Sequence, residues 1–513
     1  MGIKLASVFT DNMIIQRGMP VKVFGVSDVG GNLTVKIGEV SQSQAIEAGA
    51  FCATLPELKY TVSPLEMIVT FGGDEVRLTN ILLGEVWFAG GQSNMEQPLF
   101  TAYNGFEDCE TYANPNIRLF TVPRRTFEDA SIYGWHFEAQ KSDDVPWKVC
   151  DPENGLRFSA AGFYFANKLY EKYQVPVGII SCNWGGTRIE TWMDFDTVEG
   201  SGEGADASVV HYKQVMANID MNKYQEKYDL YQLEFGAALE ASNAVEDARV
   251  QGADEFARRG HFGEVKAYPD YGPYDPNRPA CLYENMVKIV APFAMRGVIW
   301  YQGESNAGYN ESKHYAHLFG LMADDWRKLW NIDLTFLSVE LAPFFQAEWN
   351  NKEGEMWGYL REQQRIAADT VPNSALIQIA DAGDRDNIHP CDKRTPGERL
   401  AVAAMNLAYG EDIEFSGPVF ESARFADNGV YVKFTHCCGG LEIRGDKLTD
   451  IRISNGDLEV AADAKIVGED TIFLSSADVT APTSVKYGFR NMHDINLYNK
   501  AGIPASPFRV VGY

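Results

Sequence analysis

Between residues 81 and 410 the chain alternates two patterns. Short, nearly uninterrupted apolar runs occur at 81–89, 177–182, 297–301, 334–339 and 375–380. They are too short for buried helices and read as strands. Between them, at 161–173, 283–293, 313–330, 356–369 and 396–409, apolar residues recur every three or four positions, as in Leu318, Leu321, Met322 and Trp326. These stretches predict helices. Strands apolar on both faces and separated by helices predict an α/β fold with a five-stranded parallel sheet covered by helices on both faces. Ligands of such sheets bind beyond the carboxyl ends of the strands.

The flanks follow another pattern. Residues 1–80 contain short β-rich runs, Met13-Ile14-Ile15-Gln16, Val21-Lys22-Val23-Phe24 and Leu33-Thr34-Val35-Lys36-Ile37, punctuated by Gly30-Gly31 and Gly72-Gly73. Residues 411–513 return to this style, with Val430-Tyr431-Val432-Lys433-Phe434 and Thr471-Ile472-Phe473-Leu474. Both flanks predict sandwich-type β domains around a catalytic-sized domain at 81–410. Within that domain, 205–260 is rich in Ala, Glu and Gln without a clean apolar stripe. It reads as a charged helical insertion: a solvated excursion first, a lid or a dimer surface second.

Length and charge narrow the functions. A chain of 513 residues needs two or three domains. Its 45 Lys and Arg against 71 Asp and Glu give a net charge of −26. That field repels nucleic acid and anionic membrane surfaces, so neither is expected as a partner. No run of 18 apolar residues predicts a membrane span. The stretch after Met1 lacks an apolar signal core, so the chain as given is expected to be cytoplasmic, or an exported protein whose natural start was removed. The eight cysteines are scattered, which favours reduced thiols, and the pair Cys437-Cys438 is poorly spaced for a metal. No metal is expected.

Four segments carry chemistry. Gly90-Gly91-Gln92-Ser93-Asn94-Met95 follows the first predicted strand. A serine on a glycine-softened turn exposes its hydroxyl and offers its own N–H, as acyl transfer requires. Gln92 and Asn94 flank it with amides. Asn183-Trp184-Gly185-Gly186-Thr187-Arg188 follows the second strand. Its glycines bring backbone N–H groups close to a ligand, so Gly185 or Gly186 is a candidate oxyanion donor. Trp184 and Trp192 offer sugar platforms, although tryptophans of this kind usually belong to the core. After the third strand, Gln302, Glu304, Ser305 and Asn306 cluster; the side-chain amide of Gln302 or Asn306 could complete the hole, and Glu304 could orient neighbours or bind a hydroxyl. After the fifth, Asp386-Asn387-Ile388-His389-Pro390 supplies an imidazole base, with Asp386 to orient it and Asp384 and Asp381 in reserve.

Taken in order, these blocks resemble the SGNH-hydrolase superfamily and, within it, the sialate O-acetylesterase family of carbohydrate esterases. The likeness continues through Lys393, Gly397, Arg399 and Leu400, the stretch Met13-Ile14-Ile15-Gln16-Arg17 and the C-terminal Asn496-Leu497-Tyr498-Asn499. It implies a flavodoxin-like SGNH sheet and removal of acetyl groups from sugar hydroxyls, with Ser93, His389 and Asp386 as the catalytic residues and no cofactor. The partner it implies is an acetylated mono- or oligosaccharide; Arg188 could pair with the carboxylate of sialate, whereas acetylated xylan or other plant oligosaccharides would not need it. A homo-oligomer is left open. One departure is visible: Gly303-Glu304-Ser305-Asn306 puts serine where the family pattern Gly-x-Asn-Asp has an amide. The competing readings are a non-catalytic glycan-binding protein and a lipase-like esterase, which would need a long apolar groove.

Overall fold

One strand, Asp74–Gly91, joins the N-terminal β region to the parallel sheet without a break. Its first seven residues alternate in exposure, and Ile81 onward is buried throughout. The change in composition at residue 81 therefore marks a change of surroundings along one strand. The first part pairs antiparallel with Leu65–Phe71 and keeps one face to solvent. The second is flanked by parallel neighbours and buried on both faces.

The computed structural model describes residues 2–126, 146–202, 204–231, 233–234, 270–308, 310–345 and 354–512. By internal contacts the chain divides into two units: Met1–Ile299 with Leu321–Thr335, and Trp300–Gly320 with Phe336–Tyr513. The architecture is mixed α/β, with a large mixed sheet and flanking β-rich regions.

In the first unit, Val177–Asn183 runs parallel to the buried half of Asp74–Gly91, with Asn183 opposite Gly91. Ile117–Thr121 lies parallel on its other side and Lys148–Val149 pairs antiparallel with that strand. Ile14–Gln16 pairs in parallel with Leu82–Gly84, so this piece of the N-terminal region belongs to the parallel layer. Gly31–Ile37 extends the same sheet through Leu65–Phe71, burying Leu33, Val35 and Ile37 at period two. The helix Ala160–Tyr173 starts at Ser159, whose Oγ accepts the Gly162 N–H at 3.1 Å. The predicted helix at 283–293 forms only a wide turn, Tyr283–Val287, closed by Lys288 N–H on the Tyr283 carbonyl; Pro292 has no N–H to continue it.

The predicted insertion is helical at Ala207–Asn218 and 221–231; residues 235–269 lie outside the described ones. It is more than a solvated excursion. Tyr224 and Tyr228 are buried, and both pack on Tyr274.

In the second unit, Phe336–Val339 pairs in parallel with Ser374–Ile377. Helices Met356–Thr370 and Arg394–Leu407 accompany them. The C-terminal region holds two four-stranded sheets and a two-stranded pair, Leu441–Ile443 with Leu497–Asn499; the inward residues of the larger sheets share one core, including Val430, Val432, Ile472 and Leu474 from one sheet and Ile451, Ile453, Val485 and Phe508 from the other. Burying such side chains contributes about 1.5–3 kcal/mol each before chain entropy is counted.

Candidate active site

Ser93 opens a single helical turn, Ser93–Glu96, at the end of the long strand. Gly91 takes φ +133°, a value that favours glycine, and swings the chain out of the sheet. Gln92 stays extended, and its carbonyl accepts the N–H groups of Met95 and Glu96 at 2.9 and 3.1 Å. Ser159 holds the far end of the turn, donating to the Met95 carbonyl at 2.6 Å, while Ala160 N–H reaches the Gln97 carbonyl. Gln92 and Asn94 are buried; Ser93 is partly exposed. The hydroxyl therefore sits on a turn fixed at both ends.

Strand register brings the glycine block onto this turn. Trp184 N–H donates to the Gly91 carbonyl at 3.0 Å, and Gly185 follows directly. A Cβ on Gly185 would stand 3.3 Å from Ser93 Cβ and 3.3 Å from Glu96 Oε2. Gly185 N–H donates to that Oε2 at 2.7 Å. The other Glu96 oxygen meets Arg124 at 2.5 Å, and the guanidinium lies 5.7 Å from the Trp184 ring. Glu96 is only 5% exposed, and Arg124 neutralises it. Gly186, at φ +74°, is exposed, and its N–H engages none of the described residues. Asn277 braces the loop, accepting Arg188 N–H at 2.9 Å and donating to the Gly186 carbonyl at 3.3 Å. Arg188 itself is half-buried. Trp184 and Trp192 are core residues and not sugar platforms: both are buried, and Trp192 Nε1 donates to Thr187 Oγ1.

In the second unit, Gln302 and Asn306 are fully buried. Gln302 Nε2 donates to Asn306 Oδ1 at 2.7 Å. Tyr315 O–H lies 2.9 Å from Gln302 Oε1 and 3.0 Å from its carbonyl, and accepts Trp300 Nε1–H at 3.3 Å. Gln364 Nε2 also reaches the Gln302 carbonyl. Gly303 is required by close approach, since a Cβ there would stand 2.7 Å from Leu360 Cδ2. Glu304 is half-buried. Near it Lys393, 1% exposed, holds its ammonium 5.4 Å from the Tyr301 ring centre. Burial pushes the Lys393 pKa down to about 8, against the pull of the Glu304 charge.

The histidine loop is built from two successive side-chain turns. Asp384 Oδ1 accepts Asp386 N–H at 2.9 Å, and Asn387 Oδ1 accepts His389 N–H at 3.0 Å. Asp381 is committed elsewhere, gripping Arg399 through both oxygens at 2.7 and 2.8 Å. The reserve carboxylates thus have structural duties. Asp386 is exposed, and its carboxylate engages none of the described residues, so the expected contact with the His389 imidazole is not formed here. The sequence pattern assigns no part to Glu96, Arg124 or Asn277. Glu96 alone carries a signal there, a single carboxylate in an otherwise uncharged stretch beside Ser93.

Every candidate residue lies within one family match. The model for "Carbohydrate esterase, sialic acid-specific acetylesterase" covers residues 83–229 and 274–406. The chain belongs to this family. The unmatched stretch 230–273 overlaps the predicted insertion but begins later. Among curated esterases of this kind, mouse sialate O-acetylesterase is 26% identical over 377 residues, 69% of this chain and 62% of that protein. The human sialate O-acetylesterase is 23% identical over 457 residues, 82% of this chain and 74% of that one. The crystal structure of a carbohydrate acetylesterase from Xanthomonas citri superposes with a TM-score of 0.78, at 28% identity and full coverage of both chains.

Proposed function

We propose that the chain is a carbohydrate O-acetylesterase that hydrolyses acetyl esters on sugar hydroxyls through a serine acyl-enzyme. The packing of Gly185 on Ser93, inside family-matched segments, carries this reading. Ser93 Oγ attacks the acetyl carbonyl while His389 takes the hydroxyl proton. The tetrahedral oxyanion is held by the Ser93 N–H and a glycine-block N–H. Gly186 is the better second donor, because Gly185 already gives its N–H to Glu96. For the side-chain donor, Asn306 is preferred. Its oxygen accepts from Gln302, so its amide hydrogens face another direction, and Gln302 acts as the brace. His389 then protonates the departing sugar oxygen, and a water it deprotonates cleaves the acetyl-serine to acetate.

Asp386 orients the imidazole in this reading. It is the acid of the loop with no structural duty, and catalytic hydrogen bonds are often loose before substrate binds. The finer fold proposed is the SGNH type, a parallel sheet with helices on both faces; the parallel pairings in each unit support it.

The test is acetate release from p-nitrophenyl acetate and from acetylated sugars by the wild-type chain and by Ser93→Ala. A loss of 10³-fold or more on substitution, with unchanged thermal unfolding, is expected. Equal rates would leave only glycan binding.

A further inference from the structure

A cavity of about 350 Å³ in the second unit lies beside the histidine loop and has no part in the chemistry above. Four cations line it, Arg385, Arg452, Lys486 and Arg490, against three carboxylates, Glu355, Asp450 and Glu459. Every carboxylate is already paired. Lys486 lies 2.9 Å from Glu355 and 3.3 Å from Glu459, Arg452 lies 2.7 Å from Glu459, and Arg490 lies 3.2 Å from Asp450. The cation left over is Arg385, which meets no carboxylate among the described residues. Its guanidinium stacks 4.6 Å over the Phe345 ring, and its carbonyl accepts Phe345 N–H at 2.9 Å. One residue thus fixes both its backbone and its side chain.

We propose that this cavity is a subsite for the carboxylate-bearing unit of an acetylated acidic oligosaccharide, with Arg385 as the carboxylate receptor. An aromatic-stacked guanidinium presents its N–H edge outward, and that edge fits a carboxylate bidentately. The paired ions around it offer donors and acceptors to sugar hydroxyls. An apolar acyl chain would have to desolvate seven charged groups and is disfavoured. The volume falls within the range of small-ligand sites. A chain of net charge −26 gains no long-range attraction for an acidic glycan, so short-range contacts such as these must supply the recognition.

The inference rests on the proposed esterase reading, and two measurements separate them. In the full chain carrying Ser93→Ala, sialyllactose and a glucuronic acid-bearing xylo-oligosaccharide are titrated by calorimetry, each beside its carboxylate methyl ester. The expected result is at least tenfold tighter binding of one or both free acids than of the ester, and loss of that difference on adding Arg385→Gln. The acid that is preferred identifies the source. Equal Kd values for acid and ester, a comparison that needs no change at Arg385, would overturn the subsite. Hydrolysis of p-nitrophenyl acetate by the wild-type chain tests the esterase reading separately: turnover without acid discrimination sinks the subsite alone, and no serine-dependent turnover sinks the reading beneath it.

Discussion

Gly185 rests on Ser93 so closely that a methyl group on Gly185 would lie 3.3 Å from the serine Cβ. Its φ is not among the positive values, so alanine is conformationally allowed and only the contact is at stake. Gly185→Ala should move the Ser93 turn by a few tenths of an ångström. We expect kcat to fall about 10- to 100-fold, since small misplacement at a reacting centre is costly. Thermal unfolding should change little. Steady-state kinetics paired with a melting curve check both parts.

Glu96 joins that glycine to a nearly buried cation. Glu96→Gln keeps an acceptor for Gly185 N–H but removes the carboxylate charge that Arg124, 10% exposed, faces at 2.5 Å. Breaking one side of a buried pair costs on the order of 3–5 kcal/mol. Urea unfolding should show a loss approaching that size, whereas Arg124→Met combined with Glu96→Gln should recover part of it. A loss below about 1 kcal/mol for the single variant would mean that the pair is effectively solvated.

The legible part of the molecule is the part where local pattern and environment agree. Continuous apolar runs announced strands at 177–182 and 297–301 because both faces of those strands are covered, and the structure has Val177–Asn183 and Gly297–Tyr301. Ile117–Thr121 is not legible as a strand because Arg118 interrupts an equally buried run. The parallel pairing of Ile14–Gln16 was illegible for another reason, since register between distant segments leaves no local trace. At the site, the residue types of the four blocks could be read in order. The Gly185 N–H to Glu96 bond, the Gln302 to Asn306 bond and the isolation of the Asp386 carboxylate among the described residues are tertiary facts with no sequence period.

The choice between Gln302 and Asn306 has a kinetic signature. If Asn306 supplies the third oxyanion donor, Asn306→Ala should lower kcat by about 10²–10³ with KM little changed, the usual cost of one donor. Gln302→Ala should also cost stability, because the fully buried Asn306 Oδ1 loses the donor it has in Gln302 Nε2, while Tyr315 O–H keeps the carbonyl of residue 302. Losing a buried hydrogen bond of that kind costs about 1–3 kcal/mol. The opposite pattern, with kcat untouched by Asn306→Ala, would return the donor role to Gln302.

Glu340 provides a pH test of the second unit. It is fully buried, and burial raises its pKa from 4.5 to about 7 although Ser506 O–H donates to it and the Arg361 and Arg399 charges oppose the rise. The folded state therefore holds a proton that the unfolded chain has released between pH 4.5 and 7. Its contribution is fully present below 4.5 and is lost as pH rises through about 7. The full span is on the order of 3 kcal/mol. Glu340→Gln keeps a neutral partner for Ser506 and removes the titration. The variant should match wild type near pH 4.5 and exceed it in unfolding free energy at pH 8. Parallel pH dependences for the two chains would refute the assignment.

Asp386 is the acid with the least to lose structurally. Its carboxylate engages none of the described residues, whereas Asp381 grips Arg399 and Asp384 closes the turn at Asp386. A purely structural role therefore predicts that Asp386→Asn changes nothing, because no contact with the described residues is lost. An orienting role predicts a fall in kcat of about 10²–10⁴, as expected when an imidazole loses the carboxylate that sets its tautomer. It also predicts an unchanged melting temperature. Asp384→Asn should behave differently, since an asparagine oxygen can still accept the Asp386 N–H and close the same turn, so kcat should stay within about threefold. Activity retained in Asp386→Asn would leave His389 to work without a carboxylate from this loop.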